Sequence, residues 1–119
     1  MAKHNFKKLK IWQEAMILVS ETYKMTKDFF PKEEQFNLTS QLIRCSVSIP
    51  SNIAEGSSKN SNKHFNKYLE DSLGSAFEWE TQLIVAYNQK YISEKEFENL
   101  ENRIQKLQKM ISGFQDKLK

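Results

Sequence analysis

Ser93-Glu94-Lys95-Glu96, followed by Phe97, Leu100, Ile104, Leu107, Ile111, Phe114 and Leu118, reads as a helix from its first residue to its last. The apolar residues recur every three or four positions, so a helix of 3.6 residues per turn lines them along one side. Ser93 with Glu96 three residues on is a capping box, the pattern in which a serine closes the free N–H groups of a first turn. Gly113 should weaken the last turn.

The same period runs back through the chain. From Ser61, a candidate N-cap, to about Tyr91, the seam is Phe65, Leu69, Leu73 or Ser72, Ala76, Trp79 or Glu80, Leu83 and Tyr87. Gly74 lies inside this segment, where a glycine usually admits another backbone. From about Lys32 to Ser58 the seam is Leu38, Leu42, Cys45, Ile49 and Ile53, with Ile43, Val47 and Ala54 as a second apolar stripe. Pro50 should kink or split that helix and free the Ser46 carbonyl for a nearby serine. Gly56-Ser57-Ser58 reads as its stop. From Leu9 to Phe29, Ile11, Ala15, Leu18, Thr22, Met25 and Phe29 form a further seam, which Pro31 closes. Four amphipathic segments with short links predict an all-α, up-and-down antiparallel four-helix bundle over residues 1–119 as one domain, with residues 1–8 as a basic arm.

Composition agrees. The 119 residues hold only 3 Gly and 2 Pro, too few for a loop-rich β fold, and are 39% hydrophobic and 28% charged, as in ordinary globular domains. Apolar runs such as Met16–Val19 are far short of a membrane span. No secretory h-region follows the N-terminal lysines. Cys45 is the only cysteine, so no internal disulfide forms, and a reducing, cytoplasmic setting is expected.

Searches for chemistry are mostly negative. There is no phosphate-binding glycine loop, H-E-x-x-H or G-x-S-x-G motif. His4 and His64 are the only histidines and neither completes a Glu-x-x-His pair, which argues against a di-iron centre and leaves no metal or other cofactor expected. Cys45 on the helix seam reads as a buried, inert thiol. Glu80 falls beside the buried stripe and needs a partner, for which Arg44 is the candidate. Without a nucleophile or metal, no enzyme is expected.

The 18 Lys and Arg against 15 Asp and Glu are unevenly spread. Lys3, Lys7, Lys8 and Lys10 crowd the first ten residues without an acid, and the rest of the chain is near neutral. Between Gly56 and Glu70 there is no acid either, and Lys59, Lys63 and Lys67 are spaced to share a helix face. The arm and the stripe suit phosphate contact, and equally suit solvated surface.

Ser48-Ile49-Pro50-Ser51-Asn52-Ile53-Ala54-Glu55-Gly56 resembles the signature of the bacterial four-helix-bundle family encoded in intervening sequences of 23S ribosomal RNA genes, often labelled S23 ribosomal protein. Phe6, Leu9, Ile11-Trp12-Gln13 and Ala15 match its opening, and Phe30-Pro31, Glu34, Phe36 and Leu38 its first turn. Gln41-Leu42 with Arg44, and Gly74-Ser75, Glu78 and Glu80-Thr81-Gln82-Leu83, match its second and third helices. The sequence departs at Ile43, where many members carry a basic residue, and at Lys59, where an Arg is common. The resemblance implies a homopentameric ring without enzymatic activity, with the motif residues, including Ser51, Glu55, Gly74, Glu78 and Glu80, in its contacts. It also implies similarity to the accessory protein of diversity-generating retroelements, which binds nucleic acid and a reverse transcriptase. Two functions are expected from this. One is an RNA- or DNA-associated oligomer whose contacts are Lys3, Lys7, Lys8, Lys10, Arg44, Lys59, Lys63 and Lys67. The other is an oligomeric scaffold for protein partners alone.

Overall fold

The computed structural model describes residues 5–119. Four helices form: α1 (Lys10–Phe29), α2 (Leu38–Ser57), α3 (Asn62–Asn88) and α4 (Glu94–Lys117), with single 3-10 turns at Phe6–Lys8 and Lys32–Glu34. No strand occurs among the described residues. The helices pair in the cycle α1–α2–α3–α4–α1, an antiparallel bundle 47 Å long.

The predicted seams are its core. Ile11, Ala15, Leu18, Thr22 and Met25 of α1 are buried, as are Leu38, Leu42, Cys45, Ile49 and Ile53 of α2. Leu100, Ile104, Leu107 and Ile111 of α4 complete it. Each fully buried Leu or Ile contributes about 1.5–3 kcal/mol. Phe29, the last member of the first seam, is instead exposed, because Phe30 turns to extended geometry and packs its ring 5.5 Å from that of Tyr91. On α3 the buried choices are Ser72 and Trp79, with Leu73 and Glu80 at the margin. The Trp79 indole N–H crosses the bundle to the Thr22 hydroxyl at 3.1 Å, and that hydroxyl donates to the Leu18 carbonyl at 2.7 Å. A buried N–H is thereby satisfied inside an apolar core.

Ends follow local chemistry. Ser61 accepts from the His64 N–H and Ser93 from the Glu96 N–H, so both expected caps form. α3 stops at Asn88 rather than Tyr91. Lys90 adopts φ 66°, its N–H bonds to the Tyr87 carbonyl, and the Tyr91 N–H reaches back to Ala86, a Schellman closure built without glycine. At the same end of the bundle Glu34 accepts from the Tyr91 hydroxyl at 2.7 Å and from the Leu38 N–H at 3.3 Å. That one carboxylate ties together the two inter-helix links; accepting the phenolic proton raises the Tyr91 pKa above its ordinary value, with partial burial adding to the effect.

Pro50 does not split its segment. α2 is one unbroken helix through it, and the preceding turns lie apart in the short 3-10 segment. The serines bond elsewhere than Ser46: Ser46 to the Ile43 carbonyl and Ser48 to the Cys45 carbonyl. Small side chains then let α2 lie close against α3. Ser48 meets Ser75 at 2.7 Å, Ser72 donates to the Ile49 carbonyl at 2.9 Å, and Cys45 donates to the Ser75 carbonyl at 3.1 Å.

The close approach expected at Gly74 occurs at Gly56 instead. A Cβ on Gly56 would lie 2.7 Å from the Tyr68 Cβ and 2.8 Å from the Phe65 ring, whereas one on Gly74 would meet nothing within 4 Å. Gly74 is an exposed position on the outer side of α3.

Candidate nucleic-acid interface

An up-and-down bundle returns the chain to the same end after every second helix. The start of α1, the link from α2 to α3 and the finish of α4 therefore meet at one pole. Asn62 donates to the Leu118 carbonyl, the Phe65 and Phe114 rings pack at 5.5 Å, and Lys10 and Lys117 line one shallow cleft with Ile11, Met110, Gly113 and Phe114. Lysines distant in sequence gather there: Lys7, Lys8 and Lys10 from the beginning, Lys59, Lys63 and Lys67 from the middle, Lys117 and Lys119 from the end. Lys119 pairs with Asp116 at 3.8 Å, and none of the others forms an ion pair among the described residues.

The N-terminal arm is part of this pole from Asn5 onward. Asn5 accepts from the Lys7 N–H, the Gln13 amide donates to the Lys7 carbonyl at 2.9 Å, and the Phe6 ring stands edge-on to Trp12 at 5.3 Å. Lys7 and Lys8 are thus held as exposed cations on a folded turn, with less entropy to lose on meeting a ligand than a free tail. Lys3 lies outside the described residues.

Lys59, Lys63 and Lys67 do not form the helical stripe their spacing suggests. α2 ends at Ser57, so Lys59 lies in the link, while Lys63 and Lys67 belong to α3. The link bends Lys59 over the Tyr68 ring, with its Nζ 5.0 Å from the ring centre. Lys59, His64, Lys67, Tyr68 and Asp71 line a cleft of about 440 Å³, and Lys63 stands exposed outside it. The residues that the sequence did not single out are Tyr68, Asp71 and the C-terminal lysines. A signal existed for the first two: 64, 67, 68 and 71 share one helix face.

Other candidates disperse. Arg44 is exposed on α2, where it donates to the Ser40 hydroxyl at 3.2 Å. It stands about 20 Å along the helix from the basic pole, by the rise of an α-helix. It does not partner Glu80. Glu80 turns to α4, where Gln108 donates to it at 2.8 Å and Gln105 at 3.0 Å. Partial desolvation, with the neighbouring Glu80 charge and a bond to it, raises the Glu101 pKa above its ordinary value.

Of the motif residues, Ser48 and Gly56 are explained by contact with α3, and Asn52 donates to the Ser48 carbonyl within α2. Pro50 is buried, while Ser51 and Glu55 face outward. Cys45 is buried beside Glu78, and burial first, then the Glu78 charge and bond, push its pKa up to about 12. It is no nucleophile at neutral pH. Among the described residues no cluster of His, Cys, Asp and Glu is placed to hold a metal ion, and no helix is long and apolar enough to cross a membrane.

Two apolar areas stay uncovered. Tyr23, Phe36 and Val47 stand exposed with Ile43 between α1 and the outer side of α2, along clefts of about 590 and 490 Å³. Phe36 is 86% exposed. On the outer side of α3, Phe77, Ile84 and Val85 are exposed. Scattered apolar residues are normal on a surface, but contiguous ones at helical spacing mark contacts.

No curated protein matches the chain. Among solved structures, a protein of unknown function from the S23 ribosomal protein family of Bacteroides thetaiotaomicron superposes with a TM-score of 0.81 at 21% identity. The match covers 88% of this chain and 97% of that one, and it shows a shared fold. The family model described as 23S rRNA-intervening sequence protein matches residues 7–113, nearly the whole bundle. The chain belongs to the 23S rRNA-intervening sequence protein family.

Proposed function

We propose that this protein is a non-enzymatic, self-associating bundle that binds RNA through its basic pole. The observation that carries the reading is the convergence of unpaired lysines from three distant parts of the chain on one end. A phosphate backbone releases counterions when it meets such a surface, and that supplies affinity without any sequence reading. Outside those eight lysines the chain holds 10 Lys and Arg against 15 Asp and Glu, so the remainder presents no competing basic surface of the same density.

Self-association multiplies the pole. The apolar clefts on α1 and α2 are lined by Lys24, Lys27 and Arg44 against the single acid Asp28, and Glu70 and Glu78 are exposed on α3 along with Phe77. Two different faces of opposite rim charge favour head-to-tail contact between copies, which closes into a ring when the rotation allows. Five copies, the number the family resemblance implies, would set five basic poles side by side, and sites of modest affinity then add through avidity. The lone buried thiol suits a cytoplasmic setting.

Fluorescence anisotropy with single-stranded RNA, structured RNA and duplex DNA, at low and physiological salt, tests the binding. The expected result is RNA affinity that falls steeply as salt rises and drops in a Lys59→Glu, Lys63→Glu variant whose helix content is unchanged. Sedimentation should give a mass near five protomers. An oligomer that binds no nucleic acid even at low salt would replace this reading with that of a protein scaffold.

A further inference from the structure

We infer that the cleft between the α2–α3 link and α3 seats one guanosine of a single-stranded RNA, an inference that rests on the RNA-binding reading above. Its lining is ordered along the helix in the manner of a nucleotide. His64 lies at one end, Lys67 and Tyr68 follow one turn on, and Asp71 lies a turn beyond. From 64 to 71 the helix rises about 10 Å, comparable to the span of a purine nucleotide from phosphorus to Watson–Crick edge.

The cationic end suits the phosphate. Ser61 Oγ accepts the His64 backbone N–H at 3.2 Å and meets the ring Nδ1 at 2.8 Å. Where the serine hydroxyl donates to Nδ1, Nε2 carries the ring hydrogen and offers a donor along with the Lys59 and Lys67 ammonium groups. Neither lysine is neutralised by a carboxylate within ion-pair distance among the described residues.

Tyr68 is the platform. Its position is set by Gly56, whose missing side chain lets the Tyr68 Cβ pack directly against α2. Single-stranded RNA is read by stacking bases on aromatic rings and bonding their exposed edges. The Lys59 ammonium, 5.0 Å from the ring centre, shows that this face is reached from the solvent side, and a stacked base takes its place as the ammonium swings to the phosphate. Asp71 then supplies selectivity. An ionised carboxylate only accepts, and two oxygens side by side match the adjacent N1–H and amino donors that guanine alone presents on that edge. Uracil and adenine would place an acceptor against it.

The test is anisotropy on the full-length protein with short labelled oligouridine, oligocytidine and oligoadenosine, and with oligouridine carrying one central guanosine. The guanosine should tighten binding about tenfold over oligouridine, the scale of one good two-bond base contact. Asp71→Asn, an exposed position, should erase that preference while leaving oligouridine affinity equal or higher. Tyr68→Leu should weaken all oligonucleotides, and free guanosine 5′-monophosphate should displace the guanosine strand only at far higher concentration. Equal affinity for every base, or a preference that survives Asp71→Asn, overturns the assignment and leaves RNA binding by the pole intact. Guanosine monophosphate binding as tightly as the strand overturns it in favour of a free nucleotide. Failure of every oligonucleotide to bind at low salt removes both this assignment and the reading it rests on.

Discussion

Replacing Gly56 by alanine places a methyl group 2.7 Å from the Tyr68 Cβ, 2.8 Å from the Phe65 ring and 3.2 Å from the Phe65 carbonyl oxygen. None of the three can yield cheaply. The Cβ and the carbonyl move only with the α3 backbone, and Phe65 is 1% exposed with Phe114 against it. Overpacking of this kind costs about 1–3 kcal/mol. Alanine recovers about 1 kcal/mol of helix propensity, which leaves a net loss of up to about 2 kcal/mol, toward the upper end because two of the contacts are with backbone-fixed atoms. Gly113 is the control. It is also helical, and an added Cβ meets nothing within 4 Å, so Gly113→Ala should gain up to about 1 kcal/mol. Neither glycine has a positive φ, so space alone separates them. Urea unfolding followed by far-UV circular dichroism, at one protein concentration because assembly shifts apparent stability, should rank Gly113→Ala above the parent and Gly56→Ala below it. A Gly56→Ala protein as stable as the parent would refute the claim that α2 and α3 meet without slack at this point.

Thr22→Val should destabilise the bundle by about 1–3 kcal/mol, since it strands the buried Trp79 N–H; Thr22→Ser should recover most of that in the same unfolding assay. Lys90→Gly should raise stability by about 0.5–1 kcal/mol, because a residue with a Cβ is held at φ 66°, and a lower melting temperature would contradict the Schellman closure. Cys45, its pKa pushed up to about 12, should react with a disulfide reagent at pH 8 only after denaturant is added. Glu101 has its pKa raised in the folded state, so the folded protein holds that proton more tightly than the unfolded chain and stability falls as pH rises through the carboxylate range. Glu101→Gln should therefore stabilise at pH 7, by about 0.5 kcal/mol on the scale of like-charge pairs, and should have no such effect at pH 3.

The pole was legible in pieces. The first two lysine clusters stand out in the sequence as stretches without acids, whereas Lys117 and Lys119 flank no such stretch of their own and follow directly on Asp116, the one acid after Glu101. Lys59 illustrates the limit of periodicity: its spacing to Lys63 and Lys67 is helical, yet a helix end falls between them. Glu80 was recognisable as a carboxylate in need of a partner, but its neighbours came from α4, which no spacing within α3 could reveal.

By itself the sequence determined that the chain is helical, where the four helices lie, which stripe of each is buried and how α3 and α4 begin. All of these depend on residues three or four apart, and a helix is a structure whose neighbours are local. Only the tertiary structure decided that α2 continues through Pro50, that Gly56 rather than Gly74 marks the close approach, and that Lys7, Lys59 and Lys117 share one end of the molecule. Those facts depend on which helix packs beside which, and such contacts join residues too far apart in the chain for any local pattern to record them.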